Sequence, residues 1–424
     1  MKLGKLSWQG GVLLLYAIFL VALSILPQYK IVGNYKTVFA LSLPFWGYVG
    51  LVYPEVLKKN LPIILSLFFI GILTLLGNSW MGITAAFNTS LLLYLCIFPY
   101  FLFEIFARRR NSAEIFLLIG AIVGMLAFVC IKTWIELIEH PGVARLLAYG
   151  TYDNEEINLY RNSNIGGFGF CYAIGMLNPY LLIVALRNKG CIRTFVVALW
   201  ILSYLFCLKS QYTTLLFLTT IFSVYVLSKK IQRKWLRSCI VIGSIVFLFF
   251  LPMLLIFLSE HMQFDTLAYH FRDFAGMLTG EGSKTTRNKI YRHMITIFVN
   301  NPIWGVDLSD YGNMNIINHA HSTLLGLLAG SGIVITSLFY YVYYLILRNT
   351  RQILPNACQS LFIIYSMLFS LSVVNPITTL EINLVVVLLI PLLELHFFLN
   401  TPQILIDDHV AHAQRNHPEE ALGN

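Results

Sequence analysis

The chain reads EIFLLIGAIVGMLAFVCIKTWI from residue 114 to residue 135, and this stretch decides the fold. Its charged residues are Glu114 at the start and Lys132 near the end. About 20 apolar residues in a helix cross the roughly 30 Å hydrocarbon core of a bilayer. Because lipid offers the backbone no hydrogen bonds, a chain that crosses it must be a helix or part of a closed barrel. The stretch therefore predicts a transmembrane helix.

Runs of the same kind recur over most of the chain, which is 58% hydrophobic and 12% charged. This composition is too apolar for a soluble domain. The runs are also too continuous for the alternating strands of a membrane barrel. We therefore predict an all-α, polytopic membrane protein with about twelve transmembrane helices. The predicted spans are residues 8–26, 37–53, 62–80, 90–106, 114–135, 164–186, 194–207, 213–227, 238–258, 322–347, 358–374 and 383–399.

Basic residues predict the orientation, because the cytoplasmic loops of membrane proteins are enriched in Lys and Arg. They gather in alternate loops, at residues 58–59, 108–110, 187–193, 229–237 and 348–351. We expect these loops and both termini to lie in the cytoplasm. The net charge of +9 is then mainly a signal for topology and lipid headgroups. Its scatter over short loops argues against nucleic acid as a partner.

The predicted membrane domain covers residues 1–400, and a polar tail, residues 401–424, follows it. We expect this tail to be disordered, because it has little apolar surface to bury. Two outer loops interrupt the run of spans, at residues 136–163 and 259–321. Long loops on a rigid scaffold usually carry function, so these two segments are the first places to search for a site.

Residues 286–299 of the longer loop have the periodicity of an amphipathic helix. Its apolar face holds Ile290, Met294, Ile297 and Phe298, and its flanks hold Arg287, Lys289, Arg292 and His293. Such a helix suits the outer membrane interface, with apolar residues among the acyl chains and cations near lipid phosphate. The alternative is an ordinary lid helix with solvated charges.

The longer loop ends in the sequence NHAH at residues 318–321, and Ser322 and Thr323 then open an apolar helix. Either hydroxyl residue can cap that helix, which would place His321 at the membrane surface. A histidine there could act as a general base. The His-x-His pair could instead bind a metal, although no third ligand follows at a regular spacing. An interfacial histidine without a chemical role is the third interpretation.

Four short motifs follow one another in this region: Arg287-Asn-Lys-Ile-Tyr291, Asn301-Pro302-Ile-Trp-Gly305, His321-Ser-Thr-Leu-Leu325 and Gly330-Ser-Gly332. They resemble the signature of the O-antigen ligase and polymerase family. That signature runs as Arg-x-x-x-aromatic, Asn-Pro-x-x-Gly, then His-Asn/Ser-x-x-Leu at the start of a transmembrane helix. The hydropathy plan, with many spans and this loop late on the outer face, extends the resemblance to most of the chain.

The resemblance implies an all-helical membrane glycosyltransferase of the C type, in a bacterial inner membrane, with its active site on the outer face. Its donor would be a glycan on undecaprenyl diphosphate, and its acceptor another lipid-linked saccharide. Membrane lipid and other polysaccharide assembly proteins are further candidate partners. His321 matches the general base, and Arg287 matches a diphosphate-binding arginine. The candidate substrate-binding residues are Lys209, Gln211, Arg161, Arg292, Tyr291 and His319.

The resemblance implies no cofactor and no metal. A metal-free mechanism fits better because no Asp-x-Asp pair occurs near the loop, although Asp307 and Asp310 leave a metal alternative open.

One departure from the family pattern concerns a second arginine. The family often has it just before a mid-chain span, where this chain reads Leu208-Lys209-Ser210-Gln211. Lys209 could supply the charge without the bidentate fork of arginine, or it could simply snorkel to the surface. Arg161, before a glycine-rich span, resembles an Arg-x-x-x-Gly feature of the family and is the other candidate. Glu381, near the last outer turn, is interpreted as an interfacial carboxylate.

We expect a polymerase of capsule, exopolysaccharide or O-antigen repeat units. The runner-up is a ligase that transfers finished glycan to an acceptor lipid, because the motifs are shared. A polysaccharide transporter or flippase is the rival from another class, and it should have polar sites at the membrane midplane. The charge well inside a predicted span is Glu394, while the other unusual residues gather in outer loops, which favours an interfacial enzyme. A purely structural membrane protein would leave the ordered motifs unexplained.

Overall fold

A computed structural model describes residues 7–29, 35–77, 83–140, 142–149, 155–229, 286–306 and 322–400, with five isolated positions between 235 and 257. Within these ranges the regular structure is helical and comprises fifteen helices, counting the last, interrupted helix once. The all-α prediction is therefore confirmed. The predicted span at 238–258, the outer loop from 259 to 285 and the tail at 401–424 lie outside the described residues.

Up to residue 229, the described part of the chain contains eleven helices: α1 (Trp8–Ile25), α2 (Tyr35–Val52), α3 (Pro54–Lys59), α4 (Leu61–Gly77), α5 (Ile83–Arg109), α6 (Ser112–Glu139), α7 (Val143–Tyr149), α8 (Glu155–Asn162), α9 (Phe168–Arg187), α10 (Gly190–Lys209) and α11 (Thr213–Lys229). The loop itself contains α12 (Thr286–Asn300). The chain ends in α13 (Thr323–Ile353), α14 (Cys358–Val374) and α15 (Leu380–Asn400), and residues Leu384–Leu389 of α15 form a π-helical segment.

Seven of the described helices are long and apolar enough to cross a membrane: α1, α6, α9, α10, α13, α14 with its preceding turn, and α15. Three shorter apolar helices lie at other predicted spans, at Thr37–Val52, Leu61–Thr74 and Thr213–Lys229. Outward faces carry large exposed apolar side chains, such as Ile131 and Ile138 of α6, as lipid-facing surfaces do. The chain is thus a multi-pass membrane protein by length and composition, and the total of twelve spans stays a prediction.

Helix α9 forms the centre of the bundle, because 83% of its span is buried inside the protein. Its Asn178 is fully buried and ties three helices together. The Asn178 amide donates to the Trp200 carbonyl (2.9 Å) and the Ser203 hydroxyl (2.7 Å) of α10, and it accepts from Ser223 of α11 (3.2 Å). A buried amide with all these bonds satisfied fixes α9, α10 and α11 in one arrangement.

The basic loops gather at one end of the bundle, which we call the basic end. Ion pairs join helices there: Arg109 to Glu114 at 2.6 Å, Arg187 to Glu394 at 2.8 Å and Lys59 to Glu104 at 3.1 Å. The Asn349 amide also donates to Asn60 at 3.0 Å, which brings the end of α13 to the same place. We call the opposite end, where α9 and α13 begin, the mouth. Which end faces the cytoplasm stays a prediction from the basic residues.

The Asn301–Gly305 motif is inserted into a break in α13. In an unbroken helix the Ile333 amide would donate to the Ala329 carbonyl. Here Ile333 N donates to Pro302 O at 2.8 Å, and Val306 N donates to Ala329 O at 2.9 Å. The turn therefore satisfies both groups of the helical hydrogen bond that it replaces.

Two glycines make this insertion possible. Gly305 has φ +69°, and Gly332 has φ +68° with ψ −178°, a region open essentially to glycine alone. A Cβ on Gly305 would lie 2.5 Å from Ser331 N, and one on Gly332 would overlap Ile303 O. Two motifs that are separate in the sequence thus form one structural unit. The glycine of each motif leaves the space in which the backbone of the other packs.

Gly332→Ala should lower the melting temperature by several degrees or prevent folding. The backbone conformation alone costs a non-glycine residue about 1–3 kcal/mol, and the overlap with Ile303 adds to it. Thermal unfolding of the detergent-purified protein measures this. Gly120→Ala is the matched control, because Gly120 lies on an exposed face of α6 with no atom of the described residues within 4 Å of the new methyl group. Equal melting temperatures for Gly332→Ala and the parent would contradict the insertion.

Candidate active site

An aromatic cluster lies at the mouth, where α9 begins and where α10 turns into α11. The ring centroid of Tyr212 is 5.4 Å from that of Tyr172 and 5.7 Å from that of Phe168, in edge-to-face contacts. The Phe168 and Tyr172 rings lie 4.4 Å apart. The Tyr212 hydroxyl donates to the Ala144 carbonyl at 2.8 Å, which brings α7 of the shorter outer loop onto the cluster. The first turn of α9 is therefore the fixed floor of the mouth.

The start of α13 is tied to this cluster. Ser322 caps the helix, since its hydroxyl accepts from Leu325 N at 3.1 Å, which confirms the predicted cap. The Thr323 hydroxyl donates to the Asn375 carbonyl at 3.5 Å. The Asn375 amide in turn donates to the Tyr172 hydroxyl at 3.1 Å. His321 and His319 lie outside the described residues, but the residue that follows His321 belongs to the mouth.

Arg145 of α7 is a mouth residue that the sequence analysis did not select. Its guanidinium carbon lies 5.6 Å from the centroid of the Tyr212 ring, a cation–π distance. A fixed arginine beside aromatic rings can present its planar fork to phosphate. Arg145 and Tyr212 are far apart in the sequence, and no local pattern connects them. The structure therefore adds a third cation to Lys209 and Arg161 as candidates for the second phosphate ligand.

Glu381 is enclosed by the protein. It is only 3% exposed, in the first turn of α15. Its Oε2 atom would be 2.7 Å from a Cβ on Gly169, so the glycine leaves the room that the carboxylate occupies. Its position at the membrane interface stays a prediction, and its burial is a feature that the local sequence does not indicate. A buried acidic group needs partners for its oxygen atoms.

Lys209 and Gln211 are also at the mouth, on either side of the α10–α11 turn. Lys209 is half-buried in the last turn of α10. Gln211 is buried, has φ +59°, and directly precedes Tyr212 of the aromatic cluster. Both predicted substrate-binding residues thus lie where a substrate at the mouth would meet them, and their binding roles stay predictions.

Helix α12 confirms the predicted periodicity. Ile290, Met294 and Ile297 are buried, and they pack against Leu325 and Ala329 of α13. The face that the sequence suggested for acyl chains is therefore covered by the protein itself. The helix is a lid packed on α13, and the expectation that this face dips into lipid is wrong.

The remaining predicted residues lie in the first half of α12 and in the shorter loop. The Tyr291 hydroxyl donates to the Val374 carbonyl at 3.3 Å, so the start of α12 is at the mouth. Arg287 lies in the first turn of α12, and its side chain is outside the described residues. Arg292 is exposed on the face opposite the buried one, away from the mouth. Arg161 is half-buried in α8, next to α7.

A group of possible metal ligands occurs at the end of α6. The ligand atoms of Glu136, Glu139 and His140 lie within 4.8 Å of one another. Nearby, burial together with the charges of Glu156 and Glu136 raises the pKa of the Tyr160 phenol. Glu139 and His140 are exposed and Glu136 is partly exposed, and exposed acidic groups commonly cluster without an ion. Asp307 and Asp310, the basis of the metal alternative, lie outside the described residues.

Compared with known proteins, the chain matches no protein-family model and no curated protein sequence.

Proposed function

We propose that the protein is a membrane glycosyltransferase that polymerises undecaprenyl-diphosphate-linked repeat units into capsular, exopolysaccharide or O-antigen chains. The observation that carries the proposal is the contact between the Asn301–Gly305 and Gly330–Gly332 motifs. Both resemble one family signature, and each has a glycine with positive φ. Two backbone hydrogen bonds, from Ile333 N to Pro302 O and from Val306 N to Ala329 O, hold the two segments together. A chance likeness of short strings gives no reason for such mutual dependence.

The proposal assigns a residue to each role that glycosyl transfer requires. A base takes the proton of the acceptor hydroxyl while the oxygen of that hydroxyl forms a bond to the anomeric carbon of the donor. The bond from that carbon to the diphosphate breaks, and undecaprenyl diphosphate leaves with the electron pair. His321, beside the Ser322 cap, is the proposed base. Arg287 and a second cation at the mouth stabilise the charge that develops on the leaving group.

A carrier is supported less well. It would need polar sites near the membrane midplane. Glu394, the charged residue that the sequence placed inside a span, is paired with Arg187 at the basic end. Glu104, which is fully buried as well, contacts Lys59 there. These carboxylates join helices at the basic end, whereas the candidate residues Lys209 and Gln211 lie at the mouth.

Reconstitution tests the proposal. The purified protein in proteoliposomes is given an undecaprenyl-diphosphate-linked repeat unit, chosen from the sugar transferases encoded beside its gene. We expect a ladder of products that differ by one repeat unit. A single transfer to a lipid A–core acceptor, with no ladder, would instead identify a ligase. Movement of the lipid-linked glycan across the membrane without any new glycosidic bond would identify a carrier and refute the proposal.

A further inference from the structure

The turn between α10 and α11 contains a conformation that its residue does not favour. Ser210 ends α10 with a bond from its amide to the Phe206 carbonyl (2.9 Å). Gln211 follows with φ +59°, in the left-handed region. Glycine, and less often asparagine, is the usual residue at this position after a helix, because a Cβ is strained there. A glutamine therefore costs stability that glycine would not.

The side chain of Gln211 adds a second cost. It is 4% exposed, and its Oε1 atom accepts no hydrogen bond from any residue that the structure describes. Buried amides in native proteins are nearly always hydrogen-bonded. Strained backbone clusters at active sites and ligand-binding sites, so the strain directs attention to what the buried acceptor of Gln211 could bind.

Several other buried hydroxyl groups of the described residues have no partner, and two of them lie near the mouth. Within the described part of the chain, Thr213 Oγ1 and Thr379 Oγ1 also have no hydrogen-bond partner. Thr213 follows Tyr212, whose ring contacts Phe168 and Tyr172 in the first turn of α9. Thr379 lies on another side of the same turn, because a Cβ added to Gly169 would be 3.1 Å from the Thr379 Cβ. The three residues therefore lie around one feature, the first turn of α9 at the floor of the mouth.

The chemistry of these groups selects the ligand. An amide carbonyl needs a donor, which an ionised phosphate cannot supply, and a hydroxyl can both donate and accept. A sugar ring presents hydroxyl groups of the same dual character. We infer that Gln211, Thr213 and Thr379 form a subsite that hydrogen-bonds the hydroxyl groups of a sugar of the lipid-linked glycan. The inference rests on the proposed function for the source of that glycan, and the subsite is separate from the diphosphate-binding cations.

Gln211→Gly should separate stability from binding. The variant relieves the strain and removes the unsatisfied amide, so its melting temperature should rise. Its dissociation constant for the free oligosaccharide repeat unit should increase at least tenfold, measured by titration calorimetry on the full chain in nanodiscs. Binding of undecaprenyl diphosphate, which carries no sugar, should stay unchanged. Arg110→Gly is the matched control, because Arg110 also has positive φ (+49°) but is exposed at the basic end.

Thr379→Val provides a second, nearly isosteric test. Its hydroxyl makes no bond among the described residues, so a methyl group in its place should leave folding intact and weaken oligosaccharide binding. Oligosaccharide binding at parental affinity in both variants would overturn the subsite, as would a parent that binds no oligosaccharide. If Ca²⁺ alone stabilised the parent but not Gln211→Gly, the groups would hold a cation, and the inference would also fail. A parent that binds the oligosaccharide but forms no polymer would refute the proposed function and leave the subsite in place.

Discussion

His321→Ala is expected to abolish detectable polymer formation while the protein still inserts and folds. Loss of a general base typically reduces a rate by about 10²–10⁴, because the acceptor hydroxyl is then attacked with its proton still in place. The residue next to His321 is held firmly, since Ser322 caps α13 and Thr323 bonds to Asn375. The initial rate of ladder formation in proteoliposomes measures the effect, and size-exclusion elution checks the fold.

His319→Ala is the matched control for this prediction. It removes the same side chain two residues away, outside the His-Ser-x-x-Leu motif, and should be milder. Equal rates for His321→Ala and the parent would remove His321 from the mechanism. A loss of only severalfold would assign it to positioning of the substrate. Equal and severe losses in both variants would favour a metal site built from the His-x-His pair.

Periodicity predicted the helices well, and α12 shows what periodicity cannot predict. A helical repeat identifies which residues share a face, and Ile290, Met294 and Ile297 do share the buried one. It does not identify what covers that face. Lipid and a neighbouring helix are equally apolar, so α13 could not be distinguished from acyl chains before the fold was known.

Only those residues of the candidate site that belong to a sequence motif could be predicted. Ser322 was correctly predicted as a cap, and Gln211 was selected as a candidate, because a cap signature and a family-like turn mark them in the sequence. Arg145 was not selected, since its contact with Tyr212 joins distant parts of the chain. The burial of Glu381 was not predicted for the same reason, because the space that its carboxylate occupies is created by Gly169 on another helix. Long-range contacts of this kind leave no trace in local spacing.

Arg287→Lys should be severely impaired, with a loss of roughly 10² or more in rate, the typical effect of removing one fixed donor from a developing charge. Lysine keeps the charge but lacks the planar fork that binds two phosphate oxygens together. Arg287 lies in the first turn of α12, where the helix dipole also favours an anion. Tyr291 anchors that end of the helix at the mouth.

Arg292→Lys and Arg292→Ala are the controls on the same helix. Arg292 is five residues further on, about 140° around the helix axis, and cannot share the direction of Arg287. It is exposed on the face opposite the one that packs on α13, so its substitution should be tolerated. Full activity of Arg287→Ala would remove the main chemical support for a glycosyltransferase.

Three alanine variants, of Arg145, Arg161 and Lys209, test which residue is the second cation that binds the diphosphate beside Arg287. If Lys209 replaces the missing arginine of the family, Lys209→Ala should be inactive and Lys209→Arg active.

We expect Arg145→Ala to be the most severe of the three. Its guanidinium is positioned by the Tyr212 ring, and the Tyr172–Asn375–Thr323 bonds connect that ring to the start of α13. A loss of diphosphate binding in Arg145→Ala, with oligosaccharide binding retained, would assign it as the ligand. A fully active Arg145→Ala beside an inactive Arg161→Ala would place the ligand on α8 instead.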